Sequence, residues 1–486
     1  MSSPGVVAAR RLSNGVTASY GFGSVAYGVK DAGFGTFLLI YYNQVLGVNA
    51  ATVGLVIMAA LVLDAFIDPM VGILSDRTRG RWGRRHPWMY GAALPIAIGW
   101  LLLWNPPDWL TEPMKLVWLF VTAAAVRSAV SCFEVPSQAL TPELTTDYDE
   151  RTRITAYRYL FGWLGGLTIV LLAYGVFLTP SAGYPNGLLN PTGYHHLALT
   201  SAIIMMVAIL VSAIGTHGEI EHLPRVEPNP QTFGQNLHEL WETIHNRGFV
   251  ILMLAGVCAY TNQGISYALS NYFYNYVWQF SGNALKILPF TLLFGATVAF
   301  VIAPRVGRLT TKPRAACGFV IGAVFFHTMP YWLRFAGLMP ASGSSAQLPL
   351  LFSIFATATA LSVSSFILGA SMMADVVEDS QMRTGRRNEG VFFAGSFFVQ
   401  KCTSGIGIFA AGALLWLADF PAQAKPGEVP VAAIDHLTLY FIAIYATFGL
   451  CAALLFTRFP FGRAEHDARL ASMAAAAERE GAPHAP

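Results

Sequence analysis

The chain has 486 residues, of which 54% are hydrophobic and only 12% charged, with a formal net charge of +3. Soluble globular chains carry about 25% charged residues, so a water-soluble fold could not cover its own surface and lipid contact is expected; the mean hydropathy of +0.50 agrees. The small net charge gives no ground for a nucleic-acid or strongly acidic partner.

Residues 1–19 are small and polar, carry Arg10 and Arg11 and contain no apolar core of a signal peptide. The segment is read as uncleaved and cytoplasmic. Crossing the hydrocarbon core takes about 20 largely apolar residues. Such runs predict spans at 20–46, 51–75, 88–104, 114–139, 153–178, 196–216, 248–279, 285–304, 315–338, 348–376, 389–418 and 435–457. Several exceed the minimum, which implies tilt or projecting ends.

Loop charge sets the expected orientation. The turn after the second span holds Arg77, Arg79, Arg81, Arg84 and Arg85, and the turn after the eighth holds Arg305, Arg308, Lys312 and Arg314. The turn after the tenth adds Arg383, Arg386 and Arg387, whereas 47–50 and 179–195 carry no Lys or Arg. Positive loops stay in the cytoplasm, so both termini are expected inside. Residues 217–247 form the longest polar stretch and read as a cytoplasmic linker, with LHELWETI as a short amphipathic helix. The linker separates a half at 20–216 from a half at 248–457, each with a basic turn after its second span. This predicts an all-α membrane protein of about twelve helices in two six-helix halves, the major facilitator plan. Residues 458–486 read as a solvated cytoplasmic tail.

An ionised side chain at membrane depth costs several kcal/mol and is functional by default. Span one holds Lys30 and Asp31, span two Asp64 and Asp68, span four Arg127 and Glu134, span five Arg158, and span eleven Lys401. Asp64 and Asp68 are one turn apart on one face. Two carboxylates so close repel in low dielectric, which favours a bound Na⁺ or a shared proton. The alternative is that both pair with Arg or Lys of neighbouring helices and only hold the bundle together. Arg127 and Glu134, with Ser131 between them, share a face, so an Arg–Glu salt bridge competes with a binding role. Lys30 and Asp31 point about 100° apart and reach different neighbours. Gly72, Asp76, Arg77 and Arg81 fit the spacing GxxxDRxxxR. There the glycine allows close helix contact and the charges form bridges that hold one conformation, while positive-inside charge accounts for Arg79, Arg84 and Arg85.

Span seven is unusually polar. Tyr260, Asn262, Gln263, Tyr267 and Asn271 are candidates to line a cavity, and Tyr274, Tyr276 and Trp278 suit an interfacial aromatic belt. The five cysteines form no CxxC pair, so neither zinc site nor disulfide framework is expected. No Walker A motif, nucleophile elbow or metal-ligand His/Cys spacing is present. Covalent catalysis and ATP-driven pumping are not expected, and transport should draw on an ion gradient.

YGVKDAGFG, LDAFIDPMVGILSDRTRGRWGRRHPW, AYRYLFGW and ADVVEDSQMRTGRRNEGVFFAGSFFVQKCTSG resemble the glycoside–pentoside–hexuronide:cation symporters. The resemblance implies cation-coupled symport of a sugar, glycoside or uronide by alternating access, in a bacterial-type plasma membrane. It places Asp64, Asp68, Glu134 and Ser131 at the cation site. It places Lys30, Asp31 and Arg158 at the sugar, with Lys401 linking the two sites. Gln138, Val130 and Phe366 replace aromatic residues of the best-known member, which argues against a galactoside. Arg127 is an added cation that, facing Glu134, would suit an anionic solute. Distant animal relatives of this family carry lysophospholipids, so an amphiphile is the alternative cargo. No cofactor is implied beyond the coupling Na⁺ or H⁺, and a monomer is expected.

Overall fold

The computed structural model describes residues 12–145, 147–181, 183–223, 246–384 and 389–460. The amphipathic candidate at 237–244, Arg10, Arg11, Arg386, Arg387 and nearly all of the tail lie outside the described residues. Among those described, eleven helices are long and apolar enough to cross a membrane. They are α2 Ala50–Arg77, α3 His86–Trp104, α4 Glu112–Leu144, α5 Tyr148–Leu172, α6 Pro191–Gly215, α7 Arg247–Tyr272, α8 Gly282–Leu309, α9 Lys312–Phe335, α10 Gln347–Thr384, α11 Glu389–Leu417 and α12 Val431–Thr457.

A twelfth, α1, occupies 14–45 as a succession of α and π turns. Its two π turns are Gly33–Phe37 and Tyr41–Val45, and π turns also extend α5 (Ala173–Phe177) and α7 (Phe273–Val277). Local sequence explains the boundaries. Asn49 accepts from the Ala51 and Thr52 amides to cap α2, and Asn190 accepts from Thr192 to cap α6, satisfying donors that a first turn leaves open. Prolines in the first turn start α3, α4, α6 and α9, where no amide hydrogen is needed. Gly47, with φ +76°, turns the chain between α1 and α2, a conformation in which a side chain is strained.

Grouped by contact, the chain forms two compact units. The first comprises Met1–Asn229, Gln263–Pro289 and Ser404–Leu437; the second comprises Pro230–Asn262, Phe290–Thr403 and Thr438–Pro486. This division differs from a simple split at 217–247, because one end of α7, α8, α11 and α12 packs with the first six spans. In the first unit α1 and α5 approach backbone to backbone. A Cβ on Gly28 would collide with the Gly162 carbonyl, and one on Gly165 would lie 2.5 Å from the Val25 oxygen. Small residues permit this contact in lipid, where apolar burial alone gives little helix association. In the second unit Phe249, Phe319, Met372, Val376, Phe392 and Phe456 form one buried cluster.

Candidate functional site

The first unit collects the charges of α1, α2, α4 and α5. Asp64 and Asp68 lie on one face of α2, as their spacing predicts, and Arg127 and Ser131 lie one turn apart on α4. Arg127 donates to Asp64 Oδ2 through Nε at 3.0 Å and Nη2 at 2.7 Å. Both residues are buried, with 3% and 2% of their side chains exposed. The guanidinium also lies over the Phe34 ring, 5.2 Å from its centroid. Ser131 Oγ is 2.7 Å from Asp64 Oδ1 and 2.6 Å from Asp68 Oδ1, so it bridges the two carboxylates. Both Asp64 oxygens thus have protein partners. A free hard cation needs several oxygen ligands at once, and here the guanidinium already lies against Asp64 Oδ2.

Lys30, buried in α1, sits beside two carboxylates: Nζ is 3.0 Å from Asp31 Oδ1 and 3.8 Å from Glu134 Oε2. The Asp31 side chain is 52% exposed and that of Glu134 16%, so this cluster has an open rim. Gln138, exposed one turn after Glu134, donates to Glu134 Oε1 at 3.1 Å. Arg158 of α5 stacks over Tyr20, 5.1 Å from its centroid, and its Nη1 donates to Ser137 Oγ at 2.7 Å. Pro136, inside α4 beside these residues, lacks an amide hydrogen and breaks the ladder to the Cys132 carbonyl.

Lys30 and Asp31, expected to reach different neighbours, bridge to one another, and the expectations for Arg127 change as well. Arg127 is not a spare cation, since it is buried and paired with Asp64. Its partner is Asp64 on α2, not Glu134 on its own helix. Val130 is buried and offers no wall to a ligand. Phe366 and Lys401 belong to the second unit, where both are half-buried and Phe366 stacks on Tyr260 with centroids 5.4 Å apart.

The turn between α2 and α3 also differs from its expected chemistry. Arg85 pairs with Asp76 at 2.5 Å and with Glu143 of α4 at 2.9 Å, while Arg84 reaches Glu143 at 3.0 Å. Arg77 and Arg81 are exposed, so the bridges expected of them are made by the two arginines assigned to orientation alone. A Cβ on Gly72 would rest 3.7 Å from Val135, an ordinary contact, so close helix approach does not require glycine there. The second unit carries a related pair, with Lys312 Nζ 2.7 Å from Asp375 Oδ1.

At the opposite end of the first unit, α1 closes onto the ends of α7 and α11. Gln44 donates to Asn43 Oδ1 at 2.6 Å and to the Pro421 carbonyl at 3.0 Å. Its Oε1 accepts from Tyr276 Oη at 3.1 Å and the Ala424 amide at 2.9 Å. Asn271 donates to the Thr36 carbonyl and accepts from Tyr174, each at 2.8 Å. Tyr276 and Trp278 are each 1% exposed, unlike residues of an interfacial belt, and Tyr276 belongs to this seal. The polar pair Asn43–Gln44 inside an apolar span was the available signal. Gln44→Ala removes the side-chain partner of the Pro421 carbonyl and the Ala424 amide, at about 1–3 kcal/mol for each group left unsatisfied. Cysteine labelling at Tyr276→Cys is expected to become faster in that variant, and an unchanged rate would contradict the seal.

The comparisons with known proteins now bear on this geometry. The profile described as MFS/sugar transport protein matches residues 19–463. The chain belongs to this family. It is a multi-pass membrane protein with the major facilitator fold, and its class is secondary active transport. It is 27% identical to the isoprimeverose transporter of Lactiplantibacillus pentosus over 90% of this chain and 87% of that one. It is 25% identical to the sodium-dependent lysophosphatidylcholine symporter 1-A of Danio rerio, over 91% of this chain and 84% of that one. The inward-open xylose transporter XylE from E. coli superposes with a TM-score of 0.60 at 14% identity, covering 92% of this chain and 97% of that one, which speaks for the fold alone.

Proposed function

We propose that this chain carries a neutral sugar or glycoside together with a cation by alternating access, in a bacterial-type plasma membrane with both termini cytoplasmic. The observation that supports this most is the charge cluster of the first unit, where Lys30, Asp31, Glu134, Gln138 and Arg158 present donors and acceptors at an open rim. Hydroxyl groups pair well with such a mixed set, and charge-assisted hydrogen bonds are the strong ones. Formal charges in this unit's cluster favour a neutral solute over a uronide. With Arg127 paired to Asp64, Lys30 and Arg158 balance Asp31 and Glu134, which leaves no surplus cation for an anionic solute. The relative described as an isoprimeverose transporter supports a sugar as cargo over an amphiphile.

Coupling is assigned to Asp68, Ser131 and Asp64. Ser131 has one hydroxyl hydrogen and stands within hydrogen-bond distance of two carboxylates. A proton on Asp68 satisfies both contacts at once. Solute at the rim and the ion at Asp68 communicate along α4, which carries Ser131, Glu134 and Gln138 on consecutive turns. If the ion tightens solute binding, solute tightens ion binding by the same factor. No covalent step is involved, and no cofactor is required.

A thermal-shift screen of purified protein tests the cargo. Neutral sugars or glycosides should raise Tm, and Asp31→Asn should abolish the rise. Stabilisation by lysophosphatidylcholine or by uronides alone would replace the assignment with one of those classes.

A further inference from the structure

We propose that Arg127 is a resident counter-cation: its guanidinium holds the place beside Asp64 that a sodium ion would take, so that the chain binds no Na⁺ there and does not couple transport to Na⁺. The inference rests on the symport reading above and sharpens it by excluding one ion.

A carboxylate buried in a membrane-spanning helix needs a positive partner, and Asp64 has one in Arg127, with two N–H donors converging on Oδ2 at 2.7 and 3.0 Å. The remaining oxygen, Oδ1, accepts from Ser131, so three of the about four lone-pair sites of Asp64 are already engaged, too few remaining for an ion that gathers several oxygen ligands. Displacing the guanidinium is unfavourable in turn. It is 3% exposed and lies over the Phe34 ring, whose face attracts a cation, so withdrawal would give up that contact as well as the carboxylate. A small mobile ion competes poorly with a charge tethered to the same helix as Ser131, since the tethered group loses no translational freedom on pairing. The relative named as a sodium-dependent symporter shows that sodium use occurs at this level of similarity, so the exclusion is a property to be tested residue by residue.

The experiment compares Tm of the purified full-length protein in NaCl and in KCl at equal ionic strength. Wild type should give the same Tm in both salts. Arg127→Gln, which leaves Asp64 unneutralised and supplies a neutral oxygen, should gain a rise of about 3 °C or more in NaCl alone. Adding Asp64→Asn should remove that gain, an effect that a merely structural arginine would not produce. A sodium-selective rise in wild type that Asp64→Asn removes would overturn the proposal. So would a folded, monodisperse Arg127→Gln protein that is blind to sodium. If that variant cannot be purified, saturable binding of radioactive sodium to wild type, lost in Asp64→Asn, overturns the proposal, and its absence supports it. Failure of the symport reading would show elsewhere, as solute uptake indifferent to every ion gradient.

Discussion

Arg127→Ala is expected to lower stability by about 3–5 kcal/mol, the cost of leaving one partner of a buried pair uncompensated. Asp64 is 2% exposed and would lose both guanidinium donors. Asp64→Ala should cost a similar amount, because it strands the guanidinium over Phe34. The double variant Arg127→Ala with Asp64→Ala removes both charges together and should recover most of the loss, since exchanging a buried pair for apolar groups is often near neutral. A double-mutant cycle on Tm reads this coupling directly. Losses that simply add would mean that the two side chains do not depend on one another, contrary to the geometry.

Lys30→Met should reduce initial uptake by roughly 100-fold, the equivalent of losing one or two charge-assisted hydrogen bonds at about 1.5–3 kcal/mol each. The ammonium is common partner to Asp31 and Glu134. Without it two carboxylates face one another across the rim, and the solute loses both a donor and the orientation of its acceptors. Methionine keeps the length and apolar stem, so the change is one of charge. Lys30→Arg should retain part of the uptake, because the charge persists but a planar fork replaces a point donor. Adding Glu134→Gln to Lys30→Met should restore Tm without restoring uptake. Uptake within threefold of wild type in Lys30→Met would remove this lysine from the solute site.

Much of the fold was legible because lipid imposes a simple rule on length and polarity. Ala50–Arg77 and Val431–Thr457 lie within a few residues of the expected 51–75 and 435–457. The charged residues that the first unit brings together were also legible, since a charge at membrane depth stands out in any apolar run. Partner choice was not. Arg127 and Glu134 share a helix face, yet seven residues advance a helix about 10 Å, too far for a direct bridge, whereas Asp64 on the neighbouring helix is within reach. Arg84 and Arg85 were indistinguishable from orientation charges until the turn brought them to Glu143, 58 residues away in sequence for Arg85. The seal around Gln44 was hidden for another reason. A π turn at Tyr41–Val45 shifts the side-chain register away from the 3.6-residue period on which face assignments depend. Tyr276 and Trp278 looked interfacial because composition cannot show that α1 covers the end of α7.

The account rests on Asp68 and its Ser131 contact serving the ion while the Lys30 cluster serves the solute. The most direct test is accumulation of a labelled glycoside in proteoliposomes under an inward ion gradient, for wild type and for Asp68→Asn. Wild type should concentrate the glycoside above its external level until an ionophore collapses the gradient, and Asp68→Asn should only bring the two sides to equality. An Asp68→Asn protein that concentrates the glycoside as well as wild type would contradict the account.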